Sequence, residues 1–144
     1  MNRLETCAPE LASKLRGADQ KRQRLAAVAA ASWAAGVAHL DQASVLNAID
    51  LLREGTHEQV DRDDLARLVE ELDEVAWSVQ DAVEAGSASG DDYLTAFGRA
   101  RAAASVLFAA ESDAEVAGLE ATYEASVVVA DGSVLFAIVD TALA

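Results

Sequence analysis

Cysteine is nearly absent from the sequence: Cys7 is the only one, so the chain cannot close a disulfide on itself. This usage is typical of a reducing compartment, and we expect a cytoplasmic protein. Proline occurs once, at Pro9, and aromatic residues make up 5% of the chain, whereas 33 of the 144 residues are alanine. This composition favours closely packed helices with small side chains, and the length predicts one helical domain over 1–144.

Basic residues are also scarce, at 11 Lys and Arg against 25 Asp and Glu, for a net charge of −14. A nucleic-acid-binding protein needs a basic footprint, so we expect no nucleic-acid partner. Residues 1–40 nevertheless carry a net charge of +3 and residues 41–144 a net charge of −17. We interpret the local basic cluster as a solvated helix face or as a docking surface for the chain's own acidic half; it comprises Lys14, Arg16, Lys21, Arg22 and Arg24.

Long apolar runs are missing too. The longest lies at the C-terminus and is interrupted by Asp131 and Gly132, short of the roughly 20 residues that a membrane span needs. We therefore expect no membrane association.

What is present is helical periodicity. Apolar residues at three-four spacing, separated by capping residues and glycines, predict an all-α bundle of five or six helices. The six segments cover about 9–16, 19–40, 44–54, 61–85, 91–110 and 112–141, with Leu25, Ala29 and Trp33 on the inward face of the second. Ser112 with Glu115 resembles a capping box that opens the last helix.

The stretch VVVADGSVLFAIV, residues 127–139, admits two interpretations. Asp131-Gly132 between β-branched runs is a signal for a tight hairpin. The spacing Leu119, Tyr123, Val127, Ala130, Val134 and Ile138 instead continues through this dipeptide at helical period. We favour one apolar, central C-terminal helix, kinked at Gly132, and keep the hairpin as the alternative.

Catalytic and metal motifs are absent. Glu54 and His57 have the Glu-x-x-His spacing of di-iron bundles, but Gly55 breaks the helix between them and the further ligands are missing. There is no nucleophile elbow and no glycine-rich phosphate loop. We predict a protein that is not an enzyme and that holds no metal or cofactor.

Arg101 breaks the apolar pattern of its helix, where it lies among Leu94, Phe97, Ala104 and Phe108. The first interpretation is an internal ion pair with a carboxylate of the last helix, or a side chain that extends to water. The second is an anchor for an anionic small ligand within the helix interior.

Trp77 points roughly 150° away from the apolar stripe of the 61–85 helix, at about 100° per residue. Its neighbours on that side are five carboxylates: Glu70, Asp73, Glu74, Asp81 and Glu84. Three explanations remain open: another helix of the chain covers Trp77, a second copy does, or a foreign basic protein does.

The order of the segments RLAAVAAASWA, VLNAIDLLREG, YLTAFGRARAAASVLF and EATYEA resembles that of small all-helical bacterial proteins that are classed as immunity proteins of toxin systems or are uncharacterised. The resemblance implies an inhibitor that binds a cognate toxin, and it carries over no site residue. We thus predict a protein-binding module that presents the Trp77 face to a basic partner. The alternatives are a homo-oligomeric scaffold, in which residues 14–24 of one copy meet the acidic face of another, and a small-ligand binder built around Arg101.

Overall fold

The computed structural model describes residues 2–144, and throughout that range the secondary structure is helical, with no strand. The all-α prediction is therefore confirmed. The described range contains eight α-helices rather than five or six, with a short 3-10 turn at His57–Gln59. The helices are α1 Arg3–Cys7, α2 Pro9–Gly17, α3 Gln20–Val37, α4 Ala43–Arg53, α5 Arg62–Glu84, α6 Gly90–Ala109, α7 Ala114–Ser126 and α8 Ser133–Leu143.

One of the two additional helices comes from a break in the predicted C-terminal helix. Helix α7 ends at Ser126 and α8 begins at Ser133, so 127–139 form neither one continuous helix nor a hairpin. The Asp131 carboxylate accepts a hydrogen bond from the Ser133 N–H at 2.9 Å, and Gly132 is the N-cap of α8. Three successive valines followed by this turn have weak helix propensity, and the side-chain hydrogen bond competes with the helical one. Helical spacing persists across the break because each half is helical by itself.

The core is formed by the alanine-rich faces of α3, α6 and α7, which pack on one another. On α3 the inward residues are alanines together with Gln23. The sequence-based assignment of the inward face was wrong for Leu25, which is 51% exposed, whereas Trp33 is partly buried against the core. The buried α3 alanines are Ala26, Ala27, Ala30, Ala31, Ala34 and Ala35. Small side chains let helix axes approach closely, so the alanine face is buried in the core and the larger Leu25 stays on the surface.

The remaining helices cover this centre. Helix α5 packs against α6, α8 packs against α3, and α1 and α2 contact α7. Helix α8 buries Leu135 and Val139, whereas α7 buries eight residues. None of the helices within residues 2–144 combines the length and the apolar character needed to cross a bilayer.

Helix starts follow the capping residues in most cases. The side chains of Asp19 and Asp61 accept backbone N–H bonds at the starts of α3 and α5. Helix α7 is capped by Asp113 and not by a Ser112 box. A capping box instead opens α6, where Ser89 and Asp92 exchange hydrogen bonds. Both starts follow the rule that a short side-chain acceptor satisfies the first free N–H groups.

Candidate functional site

The candidate site lies on α5, a helix of 23 residues that buries only Leu65 and Ala76. Trp77 projects from its outer side and is 69% exposed, the highest value among the exposed large hydrophobic residues of the described chain. Internal packing of Trp77, one of the three explanations for its position, is therefore overturned. The reason is geometric: α5 contacts the bundle mainly through α6, and no other helix crosses its far side.

Four of the five predicted carboxylates share this exposed side, namely Glu70, Glu74, Asp81 and Glu84. None of the four makes an ion pair with a Lys or Arg of residues 2–144; Glu84 accepts a 3.4 Å hydrogen bond from the Gln80 amide. We call Trp77 with these four side chains the acidic face of α5. Its negative charge is uncompensated within the described chain, which makes the surface attractive to cations.

The fifth carboxylate, Asp73, is turned away from this group. It accepts two hydrogen bonds from one Arg101 nitrogen, at 2.8 and 3.0 Å, across the contact between α5 and α6. The prediction that Asp73 belongs to the partner-binding set is corrected on this ground, since its charge is already paired. The ion pair lies about one turn from Trp77.

Arg101 is the centre of a wider charge network. Its other terminal nitrogen donates to Glu124 of α7 at 3.1 Å, and the Glu124 side chain is only 3% exposed. Glu124 also pairs with Arg3 at 3.0 Å, and the Arg3 guanidinium lies 4.2 Å from the centre of the Tyr123 ring. The network thus ties α1, α5, α6 and α7 together.

Burial of Arg101 by itself lowers its pKa, but attraction to Glu124 and the hydrogen bonds to Asp73 outweigh that effect, so the pKa is raised. The guanidinium is therefore permanently charged and is neutralised by two carboxylates. An anionic ligand would meet those carboxylates too, so the ion-pair interpretation of Arg101 is the one that the geometry favours.

Most side chains of the basic cluster of residues 14–24 make ion pairs or hydrogen bonds within the chain. Lys14 pairs with Asp140, Arg16 with Glu5, and Arg22 with Asp19. Arg24 donates to the backbone carbonyls of Glu111 and Ser112. Of the five side chains, Lys21 is the one without such a partner in the described structure. Glu5 and Asp19 lie within residues 1–40, so Lys14–Asp140 is the one of these ion pairs that reaches a carboxylate of the acidic half. The interpretation as a docking surface for that half therefore holds for Lys14 and, through backbone carbonyls, for Arg24.

The Asp73–Arg101 pair was missed by sequence reasoning, although a signal for it exists. Helices α5 and α6 are joined by a short connection centred near Ser87 and pack against each other. Asp73 and Arg101 lie 14 residues before and 14 residues after Ser87. Equal distances from the turn of an antiparallel helix pair place residues at the same height, which would have predicted this contact.

No group of three or more His, Cys, Asp and Glu side chains arranged to hold a metal ion occurs in residues 2–144. Comparison with protein-family models, with curated proteins and with solved structures finds no match for this chain. The function is therefore inferred from the surface chemistry of the chain itself.

Proposed function

We propose that the protein is a binding module, an inhibitor of the immunity type, that presents the acidic face of α5 to a positively charged surface of another protein. The observation that carries the proposal is Trp77, 69% exposed and surrounded by carboxylates without cation partners. An aromatic anchor with a charged surround is the composition of a binding hot spot.

The two parts of this face contribute differently. Covering a tryptophan removes roughly 150–250 Å² of surface from water and holds the complex together. Exposed carboxylates accelerate encounter with a basic partner, and their effect fades as salt screens charges beyond about 8 Å at physiological ionic strength. We therefore expect Trp77 to slow dissociation of the complex and the four carboxylates to speed its association.

Helix α5 is a suitable platform for this role. It is a continuous helix, capped by Asp61 at one end and closed beyond Glu84 by Gly86, which adopts a positive φ of 80°. The Asp73–Arg101 ion pair joins it to α6. A rigid helix presents its side chains without an ordering cost on binding.

The first test is affinity capture from a lysate of the native host at low salt, with bound proteins identified by mass spectrometry. Wild type is compared with Trp77→Ala and with Val134→Ala, a control on α8 that removes a similarly exposed (60%) apolar side chain. We expect a basic protein that is retained by wild type and by Val134→Ala and lost by Trp77→Ala. Equal retention of the basic protein by all three baits would show that Trp77 is not part of the interface.

The second test uses the purified captured protein. Trp77→Ala should raise Kd by about 30-fold or more, the equivalent of a hot-spot residue. Neutralising Glu70, Glu74, Asp81 and Glu84 to their amides should lower the association rate and flatten its salt dependence. The matched control neutralises four exposed carboxylates elsewhere, at Glu10, Asp41, Asp50 and Glu115. A salt-independent association rate for the wild type would contradict electrostatic steering.

A further inference from the structure

The outward side of α3 carries larger apolar residues than its buried side. Leu25 is 51% exposed, and Val28 and Ala29 are half-buried, while the buried side is alanine. A helix normally buries its bulkier apolar residues, so a stripe left outside marks a surface with an unfilled contact.

This stripe forms the floor of a groove of about 680 Å³. Leu52 of α4 and Ala142 of α8 line it on either side, so the floor lies between two flanking helices. The basic side chains that line it are Lys21, Arg24 and Arg53, against a single carboxylate, Glu54. We call it the α3 groove. Lys21 and Arg53 make no ion pair in the described structure, so their charges are available to an incoming anionic surface.

The groove and the acidic face of α5 are complementary. The groove is concave and apolar with a basic margin, and the acidic face is a convex helix with one large apolar side chain among carboxylates. Within one copy the two do not meet, because Trp77 is exposed to solvent. A second copy supplies the matching surface.

We propose that Trp77 and its carboxylates on one copy dock into the α3 groove of a second copy. The contact is head-to-tail, so each associated pair retains one free groove and one free acidic face, and assembly continues until a ring closes or a chain grows. The inference rests on the proposed function, because it uses the acidic face as a binding surface. It adds regulation: a copy whose Trp77 is occupied by a basic partner can still accept another copy in its α3 groove but cannot extend the assembly through its own acidic face.

Sedimentation velocity over increasing protein concentration tests the contact at physiological ionic strength. Wild type and Val134→Ala should associate beyond the dimer or into a closed ring. Trp77→Ala and Leu25→Asp should each weaken association by at least about tenfold and sediment as monomers. A 1:1 mixture of these two variants should form a heterodimer and stop there, because each retains one intact half of the contact.

A second groove variant, Lys21→Glu with Arg53→Glu, alters two exposed side chains and should behave as Leu25→Asp does. Circular dichroism of each variant checks that it is folded. A wild type that stays monomeric up to about 1 mM overturns the inference, since a contact with Kd of 1 mM would be about 40% populated there. Dimers of Leu25→Asp that need Trp77 also overturn it, because they indicate a symmetric contact of α5 with α5.

The outcomes separate this inference from the proposed function. A monomeric wild type that still captures a basic protein through Trp77 overturns self-association alone. An associating wild type whose variants complement each other, with no foreign protein retained, supports self-association and overturns the foreign partner.

Discussion

At the scale of single residues, the charge network around Arg101 decides how α5 is held. Glu124 is 2% exposed and lies between two guanidinium groups, Arg3 and Arg101. A buried carboxylate is tolerated only while it is paired, and removal of Arg101 would leave Glu124 with Arg3 alone and Asp73 without a cation. The network is consequently more important for the arrangement of four helices than its few hydrogen bonds suggest.

Arg101→Met should lower the free energy of unfolding by about 2–4 kcal/mol, somewhat less than for a fully buried pair because Arg101 is partly exposed. Urea unfolding measures the change. The control is Arg53→Met, which removes an exposed arginine without an ion pair and should change stability by less than about 0.5 kcal/mol. Equal changes in the free energy of unfolding for the two substitutions would contradict a structural role for Arg101.

Close packing of α7 against α2 and α3 gives a second expectation at this scale. A Cβ at Gly118 would lie 2.9 Å from Leu15 Cδ2 and 3.3 Å from the Gln23 carbonyl oxygen, and Leu15 is fully buried. Gly118→Ala should therefore destabilise the protein by about 1–3 kcal/mol from overpacking, less the helix-propensity gain of about 1 kcal/mol.

Gly36→Ala is the matched substitution, since a Cβ there meets nothing within 4 Å and the position is helical. It should stabilise by up to about 1 kcal/mol through helix propensity alone. Thermal unfolding of both variants should give Tm changes of opposite sign. The same sign for both would mean that the α7 contact relaxes freely.

At the scale of elements, three helices begin beside an aspartate whose side-chain carboxylate accepts a backbone N–H hydrogen bond. Asp19 accepts a hydrogen bond from the Arg22 N–H, Asp92 from the Ser89 N–H, and Asp131 from the Ser133 N–H. These backbone hydrogen bonds lower the pKa of each of the three carboxyl groups. Local hydrogen bonds of this kind lie at the starts of α3 and α6 and in the turn that precedes α8.

A lowered pKa means that the folded chain holds the proton less strongly than the unfolded chain. The stabilisation is complete above the ordinary pKa of 3.8 and is lost as pH falls through the lowered values. The triple variant Asp19→Asn, Asp92→Asn, Asp131→Asn keeps the acceptors but cannot titrate. Its Tm should fall less than that of wild type between about pH 5 and pH 2.

The comparison variant is Asp41→Asn, Asp50→Asn, Asp91→Asn, which removes three exposed carboxylates that make no hydrogen bond in the structure. Its Tm should follow the acid dependence of wild type more closely than the capping variant does. The reverse order would show that overall charge, and not capping, governs acid sensitivity.

At the scale of the whole molecule, the net charge of −14 includes the four unpaired carboxylates of the acidic face. Like charges three and four positions apart on α5 repel one another, as Glu70 with Glu74 and Asp81 with Glu84 do. The repulsion among the carboxylates that would attract a basic partner therefore lowers the stability of the isolated chain.

Added salt should consequently have opposite effects on folding and on binding. Raising NaCl from about 10 to 200 mM should raise Tm by a few degrees through screening of self-repulsion and should weaken the complex with a basic partner. Neutralising the four carboxylates of the acidic face should raise Tm at low salt and reduce its salt dependence. A Tm that falls with salt would show that internal ion pairs outweigh self-repulsion.

The positions of the candidate site's side chains could be predicted from sequence where helical geometry alone is enough. The angular position of Trp77 follows from its register on α5, and so does its company of Glu70, Glu74, Asp81 and Glu84. Whether another helix covers that side is not encoded in the register, because it depends on where the remaining helices pack. For the same reason Asp73, only about 40° around the helix from Trp77, proved to be paired with Arg101.

The sequence by itself determined that the chain is all-α and where most helices begin and end, because periodicity, caps and glycines act within a few residues. Tertiary structure alone decided the rest: which face of α3 is buried, the break between Ser126 and Ser133, and the exposure of Trp77. These features depend on competition among several faces for the same interior. In an alanine-rich chain several faces are apolar enough to compete, and close approach of the helices selects the one with the smallest side chains.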